Sequence, residues 1–469
     1  MSGTWLGLET SRRGIIVHQR ALDTTGHNLA NASTQGYSRQ EVVITPTDAY
    51  SNPNWDSSVT PGQLGTGTYV NMIRRVMDEY LDYQVRRTAT DTSYWEDQIS
   101  VLQRAEASFA EPASDGIGDR IVDFFKGWMD LNNTPQDPGI KAAVVQLGDG
   151  LATLMSYTYN QLADVQNTVA DITDVSGTPE ITGGMLKDQV DRVNEILVQV
   201  RDLTDSIKKI YALNQQPNDL LDKRDQLLEE LSGYASVDVT YEAQVGKPPT
   251  GEISQLTFMG VDIDLDLVED TTLGLTVDND AIILSIAGTD VNLTENRYNI
   301  DQGGSLLGVE RSRQDLIRFK TMLNDIAVTL RDKTAGQLGS DFFTGDLATG
   351  DFSVASELVD DPSLLDGTKA QAVANIRGED IDAARPYTIE EYYGILLTDM
   401  AGCVKGSNDM AANQGAIQKQ ITSLRDSVAG VSVDEELTKM MQFQYGFQAS
   451  AKMVSTLDGM LDVIINKLF

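Results

Sequence analysis

The feature that most constrains this chain is a seven-residue apolar repeat placed at each of its two ends. Leu8, Ile15, Leu22 and Leu29 recur every seven residues, which puts them on one stripe of a helix running from about Trp5 to Asn31. Gly7, Gly14 and Ala21 sit beside that stripe, so a second backbone can come close. The run Asn31-Ala32-Ser33-Thr34-Gln35-Gly36 reads as the stop, because its residues favour caps and turns and Gly36 accepts positive φ. Tyr37 then opens an extended stretch that includes QEVVITP.

At the far end Met440, Phe447, Val454, Leu461 and Leu468 share one heptad position. Phe443, Leu457 and Ile464 occupy the position three residues on, with Ser450 as its polar member. Ser432 and Glu435 spell a capping box, Asp434, Glu435 and Glu436 complement the positive end of the helix dipole, and Lys467 the negative end. Met453 and Met460 widen the stripe on one flank, Leu437 and Ile465 on the other. A stripe of this width predicts contact with more than one neighbouring helix. The apolar surface of one such seam does not offset the entropy of ordering two terminal helices, so the ends are expected to be mobile in the free monomer and to order on assembly.

Charge supports the distinction between ends and middle. The chain carries 36 basic and 70 acidic residues, a formal net charge of -34. Residues 1–50 sum to zero and residues 425–469 to -2, which leaves -32 on residues 51–424. The ends therefore read as near-neutral packing surfaces and the middle as solvated surface. So acidic a chain is not expected to bind nucleic acid. No run of 18 apolar residues predicts a membrane span, and the first residues lack the apolar core of a cleavable signal. These observations alone point to the cytosol.

Within the middle, Trp95, Leu102 and Phe109 repeat at seven, as do Leu186, Val193, Val200 and Ile207, and both sets read as the inward faces of a helical bundle. Residues 218–234 (NDLLDKRDQLLEELSGY) form a further helix, started by Pro217 and Asn218 and ended at Gly233. From Val237 to about Asn299 the period changes to two, clearest where Val261, Ile263, Leu265 and Leu267 alternate with aspartates. Helix resumes from Gly303-Gly304 to about Leu330. The expected fold is mainly α with a small β-rich part: a discontinuous terminal coiled-coil domain plus a helical-bundle domain with β insertions. Residues 1–50 and 425–469 make the terminal assembly domain. Residues 51–236, 301–340 and 388–424 make the bundle, 237–300 the β-rich unit and 341–387 a loop-rich insertion.

Nothing in the chain spells catalysis. Its two histidines, His18 and His27, are nine residues apart, not the four of a helical metal pair. Cys403 is the single cysteine, which excludes an internal disulfide and points to a small buried hydrophobe. Asp262, Asp264 and Asp266 fall on one solvated strand face without the glycine turn and terminal glutamate of a calcium loop. Gly62, Gly65 and Gly67 lack the lysine of a phosphate loop and read as turn glycines. No catalytic, cofactor or metal site is expected, and the readings left standing are a self-assembling structural subunit, a coiled-coil adhesin, and an enzyme using a carboxylate pair.

The stretch HNLANASTQGYSRQ (residues 27–40) closely resembles the motif of the flagellar rod, hook and hook-associated axial proteins, with Asn28, Asn31, Thr34, Gly36 and Tyr37 at its marked positions. FQYGFQASAKMVSTLDGML (residues 443–461) is similar to the final helix of the same family. Residues 218–234 and GGSLLGVER (residues 303–311) are closer to the hook-associated branch at the hook-filament junction than to hook or rod subunits, which stay as the alternative. The resemblance implies terminal helices that build an inner tube, with Leu8, Ile15, Leu22, Leu29, Met440, Phe443, Phe447, Val454, Leu457, Leu461, Ile464 and Leu468 in the assembly interface. It implies type III export, in place of the cytosol, to the extracellular flagellum. The partners implied are the hook protein, a second junction protein (hook-associated protein 3), further copies of the chain in a ring, and an export chaperone on the C-terminal helix.

Overall fold

The computed structural model describes residues 2–48, 65–109, 116–175, 178–213, 215–242 and 252–466. Gly62, Lys467 and Leu468 lie outside these residues, as do the side chains of Ile464 and Ile465. From the start, α1 (Ser2–Ala30) leads into a hairpin of β1 (Gln40–Pro46) and β2 (Thr68–Arg75). Three long helices follow, α2 (Glu79–Ala107), α3 (Ile117–Asn133) and α4 (Pro138–Val169). A second hairpin, β3 (Asp171–Val175) and β4 (Thr178–Gly183), precedes α5 (Met185–Ala212) and α6 (Asn218–Tyr234). Two antiparallel three-stranded sheets come next: β5 (Val237–Tyr241), β6 (Ile253–Phe258) and β7 (Val261–Ile263), then β8 (Gly274–Asp278), β9 (Ala281–Ile286) and β10 (Thr289–Asn292). After the single turn α7 (Leu293–Asn296), α8 (Ser305–Leu338) crosses the body. Short pieces then carry the chain through β11 (Phe343–Thr344), β12 (Ser353–Val354), α9 (Ser356–Asp360) and α10 (Ala370–Asn375) to α11 (Ile389–Ala429) and α12 (Val433–Asn466).

Local chemistry explains where the long helices start. Asp78 caps α2 by accepting from the backbone of Tyr80 and Leu81, and Asp137 caps α4 with Pro138 in the first turn. Thr388 and Glu391 form a complete capping box on α11. At α12 only one half of the expected box forms. Ser432 Oγ accepts from Glu435 N at 3.4 Å, while the Glu435 carboxylate takes Arg39 Nη1 at 3.2 Å.

One continuous apolar core runs from Tyr94 to Met400, with α2 lying against α6, α8 and α11, and it includes no residue of α1 or α12. The heptads in α2 and α5 supply part of it: Trp95, Leu102 and Phe109 are buried, as are Leu186, Val193, Val200 and Ile207. The buried Glu310–Arg313 pair ties the second sheet to α8, since Arg313 Nη2 also reaches the Asp280 carbonyl at 2.7 Å. Residues 341–387 are anchored by aromatic packing, with the Phe342 and Phe343 rings 4.8 Å apart beside Phe124 and Trp128. Strand alternation at 261–267 ends sooner than the pattern suggests. β7 stops at Ile263, Asp264 closes a turn by accepting from Asp266 N, and Leu267 is exposed.

Candidate functional site: the terminal helix pair and its joint

Helices α1 and α12 form an antiparallel pair that stands apart from the core. Opposite Gly7 lies Leu457, opposite Gly14 lies Ser450, and His18 faces Gly446. A Cβ built on Gly14 would sit 2.8 Å from Ser450 Oγ, and one on Gly446 would sit 2.4 Å from His18 Cε1. Gly14 and Gly446 leave room for the side chains that face them, Ser450 and His18, which fill the space a Cβ would take. The face of α1 turned to α12 is thus the small-residue heptad of Gly7, Gly14, Ala21 and Asn28, one position round the helix from the large residues. Leu8, Ile15, Leu22 and Leu29 are half-buried beside it, and Met440, Phe443, Phe447, Val454, Leu457 and Leu461 are half-buried along α12.

Among the described side chains of α12 only Glu436 is buried. Met441, Tyr445, Met453, Met460 and Val463 are exposed apolar residues on that helix, joined by Trp5 and Ile16 on α1. The pair therefore keeps half of its seam and most of its outer surface open to water.

Where the pair meets the body, Asn28 is the hub, and it is 1% exposed. Its Nδ2 donates to the Gln40 carbonyl at 2.8 Å and to Glu436 Oε2 at 3.0 Å. Its Oδ1 accepts from Gln40 N at 2.9 Å and from Tyr37 OH at 2.8 Å. Asn28 thus holds the end of α1, the start of β1 and the start of α12 at one point. Asn31 and Thr34 build the turn between them, with Asn31 Nδ2 donating to the His27 carbonyl and Thr34 Oγ1 to Asn31 Oδ1. Gly36 takes φ +74° and packs on Gln226 of α6, where a Cβ would lie 3.4 Å from that side chain.

A charged layer carries the joint into the body. Arg75 Nη1 donates to Asp222 Oδ1 and to Asp225 Oδ2, each at 2.8 Å, and Ser38 N donates to the other Asp222 oxygen at 3.1 Å. Gln40 Nε2 reaches Asp219 at 2.8 Å, and Arg425 Nη1 reaches Glu229 at 2.6 Å. Burial works against the Arg75 charge, but Asp225 and Asp222 outweigh it and hold the guanidinium more firmly protonated than usual. Burial likewise opposes the Asp225 charge, and Arg224 with Arg75 outweighs it, so that carboxyl stays below its ordinary range. Burial raises Asp222. It raises Asp82 too, with help from Asp225, up to about 6. Tyr37 is pushed up by burial and by the negative charges of Asp219, Asp222 and Glu436. Tyr37, Arg75, Asp82, Asp222, Asp225 and Arg425 line a polar cleft of about 710 Å³ between pair and body.

No group of three or more His, Cys, Asp or Glu is placed to hold a metal ion among the described residues. None of their helices is long and apolar enough to cross a membrane. Cys403 is half-buried, its thiol pushed up by burial, with Arg318 Nη2 3.5 Å from the sulfur. Asp262, Asp264 and Asp266 are exposed and spoken for, by Thr257, the 264–266 turn and Lys208. Sequence reasoning pointed to the motif residues but not to Gln40, Arg75, Asp222 or Asp225. Only a contact between distant segments brings these four together, and no local pattern signals it.

The family model for the flagellar hook-associated protein FlgK helical domain matches residues 102–352. The chain belongs to this family. Residues 426–468 match a second model, the C-terminal part of the flagellar basal body rod FlgEFG proteins. Flagellar hook-associated protein 1 of Bacillus subtilis is 26% identical, with 99% of each chain covered. The protein of that name from Escherichia coli is 20% identical over 98% of this chain and 99% of its own. Among solved structures, the flagellar hook junction protein FlgK of Burkholderia pseudomallei superposes with a TM-score of 0.58 at 12% identity, over 74% of this chain and all of that one. The chain is a structural flagellar subunit of the hook-associated family, mainly helical with small antiparallel sheets, and not an enzyme.

Proposed function

We propose that the chain joins hook to filament by packing its α1–α12 pair against the pairs of neighbouring subunits, while the acidic body faces outward. The observation that carries this reading is a two-helix pair outside the body's core whose apolar seam is only half-buried and whose outer face still presents Met441, Tyr445, Met453 and Met460. A pair of this kind satisfies its seam only when further helices cover it. Leu8, Ile15, Leu22 and Leu29 on α1 and Met440, Phe447, Val454 and Leu461 on α12 are half-buried beside the intrachain contact and are the side chains available to lateral copies in a ring, while Leu457 is already taken by Gly7 and Phe443 lies beside His18. Hook protein on one side and hook-associated protein 3 on the other complete the stack, and an export chaperone covers α12 before assembly.

Deletion of residues 437–469 in the native host tests the proposal. Loss of attached filaments with filament protein released into the medium supports it, and normal filaments on hooks would refute it. The expected mobility of the ends has its own measurement. Amide exchange of a dilute monomer should be fast through α1 and α12 and slow through α2 and α8, and strong protection of the terminal pair would overturn that part alone.

A further inference from the structure

The hydrogen bonds around Asn28 fix the tautomer of a neighbouring histidine. The backbone of Gln40 offers Asn28 one N–H and one carbonyl, which leaves the amide a single orientation: Oδ1 toward Gln40 N and Nδ2 toward Gln40 O. Tyr37 OH, 2.8 Å from that Oδ1, must donate to it. Its oxygen then has only acceptor capacity left for His27 Nδ1 at 2.9 Å, so Nδ1 carries a proton. A neutral His27 is therefore the Nδ1–H tautomer, with its lone pair on Nε2.

That Nε2 stands between two elements. Asn31 Nδ2, in the turn just after α1, lies 3.4 Å away as a donor, and Asp219 Oδ2, at the start of α6, lies 3.9 Å away as an acceptor. The ring opens on a notch of about 260 Å³ lined also by Asp222, Lys223 and Gln226 of α6. The charged and titratable groups around it are Asp23 one turn back on α1, Tyr37 in the turn, Glu436 on α12, and Asp219, Asp222 and Lys223 on α6.

We propose that His27 is a proton-operated clasp between the terminal pair and the body. Neutral, it braces Tyr37 through Nδ1 and leaves Nε2 to Asn31 in the turn that follows its own helix. On taking up a proton, Nε2 becomes a donor, gives up Asn31 and ties α1 to Asp219 of α6. Nothing else in the joint changes, because Nδ1 donates to Tyr37 in both states.

The test uses the full chain with Gly14→Cys and Ser450→Cys, so that the ring is read in an ordered pair even if free ends are mobile. The Cβ positions there are 3.5 Å apart, within disulfide range. With only two histidines, nitrogen-15 spectra give two imidazole sets, and His27→Gln assigns them. Above pH 8 His27 is expected to show protonated Nδ1 and bare Nε2, and the opposite tautomer would overturn the proposal. Amide exchange of residues 27–31 is then compared with the Asp219→Asn variant, which keeps an oxygen for Gln40 Nε2. The variant is expected to exchange about two- to five-fold faster at pH 5 and equally at pH 8.5, the range of an exposed ion pair. A ratio that is the same at both pH values reveals a merely structural contact and sinks the clasp.

Discussion

Replacing Asn28 with Asp keeps the shape of the hub and reverses both contacts of Nδ2, the one to the Gln40 carbonyl at 2.8 Å and the one to Glu436. In place of Nδ2, 3.0 Å from Glu436 Oε2, the variant sets a second carboxylate oxygen against the first. Two unit charges at that separation repel by about 5–6 kcal/mol at an effective dielectric of about 20. Protonation caps the cost, since holding one proton at pH 7.5 on a carboxyl of ordinary pKa near 4 takes roughly 4–5 kcal/mol. The shared proton belongs to the closed state, so the pair's stability is present in acid and falls by about 1.4 kcal/mol per pH unit as pH rises. In the disulfide-held full chain, amide exchange should show the ends of α1 and α12 nearest Asn28 opening at pH 7.5 and recovering toward pH 5. The body's melting transition should not move, because its core includes nothing from either helix. Protection that survives at pH 7.5, or that is lost equally at both pH values, would refute the electrostatic reasoning. A fall in the body's transition would refute the independence of the pair.

Three further outcomes are expected. Leu461→Asp places a charge in the half-buried seam and should stop assembly, read by filament attachment, while leaving the body's melting transition in place. Arg75→Leu leaves Asp222 and Asp225 without their shared cation and should cost about 3–5 kcal/mol in urea unfolding at pH 7.5, less in acid where the carboxyls take up protons. Asp82 holds its proton up to about 6 when folded, well above the ordinary aspartate range near 4. Its contribution is therefore fully present below about pH 4 and lost as pH rises through 6, so Asp82→Asn should add stability on the order of 1–3 kcal/mol at pH 7.5 and nothing near pH 4.

Much of the helical architecture is legible because its signals are local. Pro217 and Asn218 announce α6, and Gly36 marks the turn that follows α1 at its observed positive φ. The heptads of α2 and α5 read correctly as core because a stripe with a protein neighbour on one side looks the same in every bundle. At the terminal pair Leu8, Ile15, Leu22 and Leu29 mark the helix, and the small row of Gly7, Gly14 and Ala21 beside them marks the face that a second helix approaches, as α12 does. The joint is the least readable part. Asn28 and Glu436 are 408 residues apart, and Arg75 meets Asp222 across 147 residues. Residues 341–387 look irregular because their anchors, Phe342, Phe343 and Phe352, sit on or beside two-residue strands and are not members of a repeat.

The antiparallel match of Gly7 to Leu457 and of Asn28 to Glu436 also sets an order of events. The body closes on contacts made within residues 94–400, so it can complete its core while either terminus is still missing. Helix α1 meets the β1–β2 hairpin early, but its other partner surface arrives only with residues 436–457. In any process that delivers the chain from one end to the other, whichever terminal helix comes first must wait, open, until the other appears. Closure of the pair is then a report that the whole polypeptide has arrived.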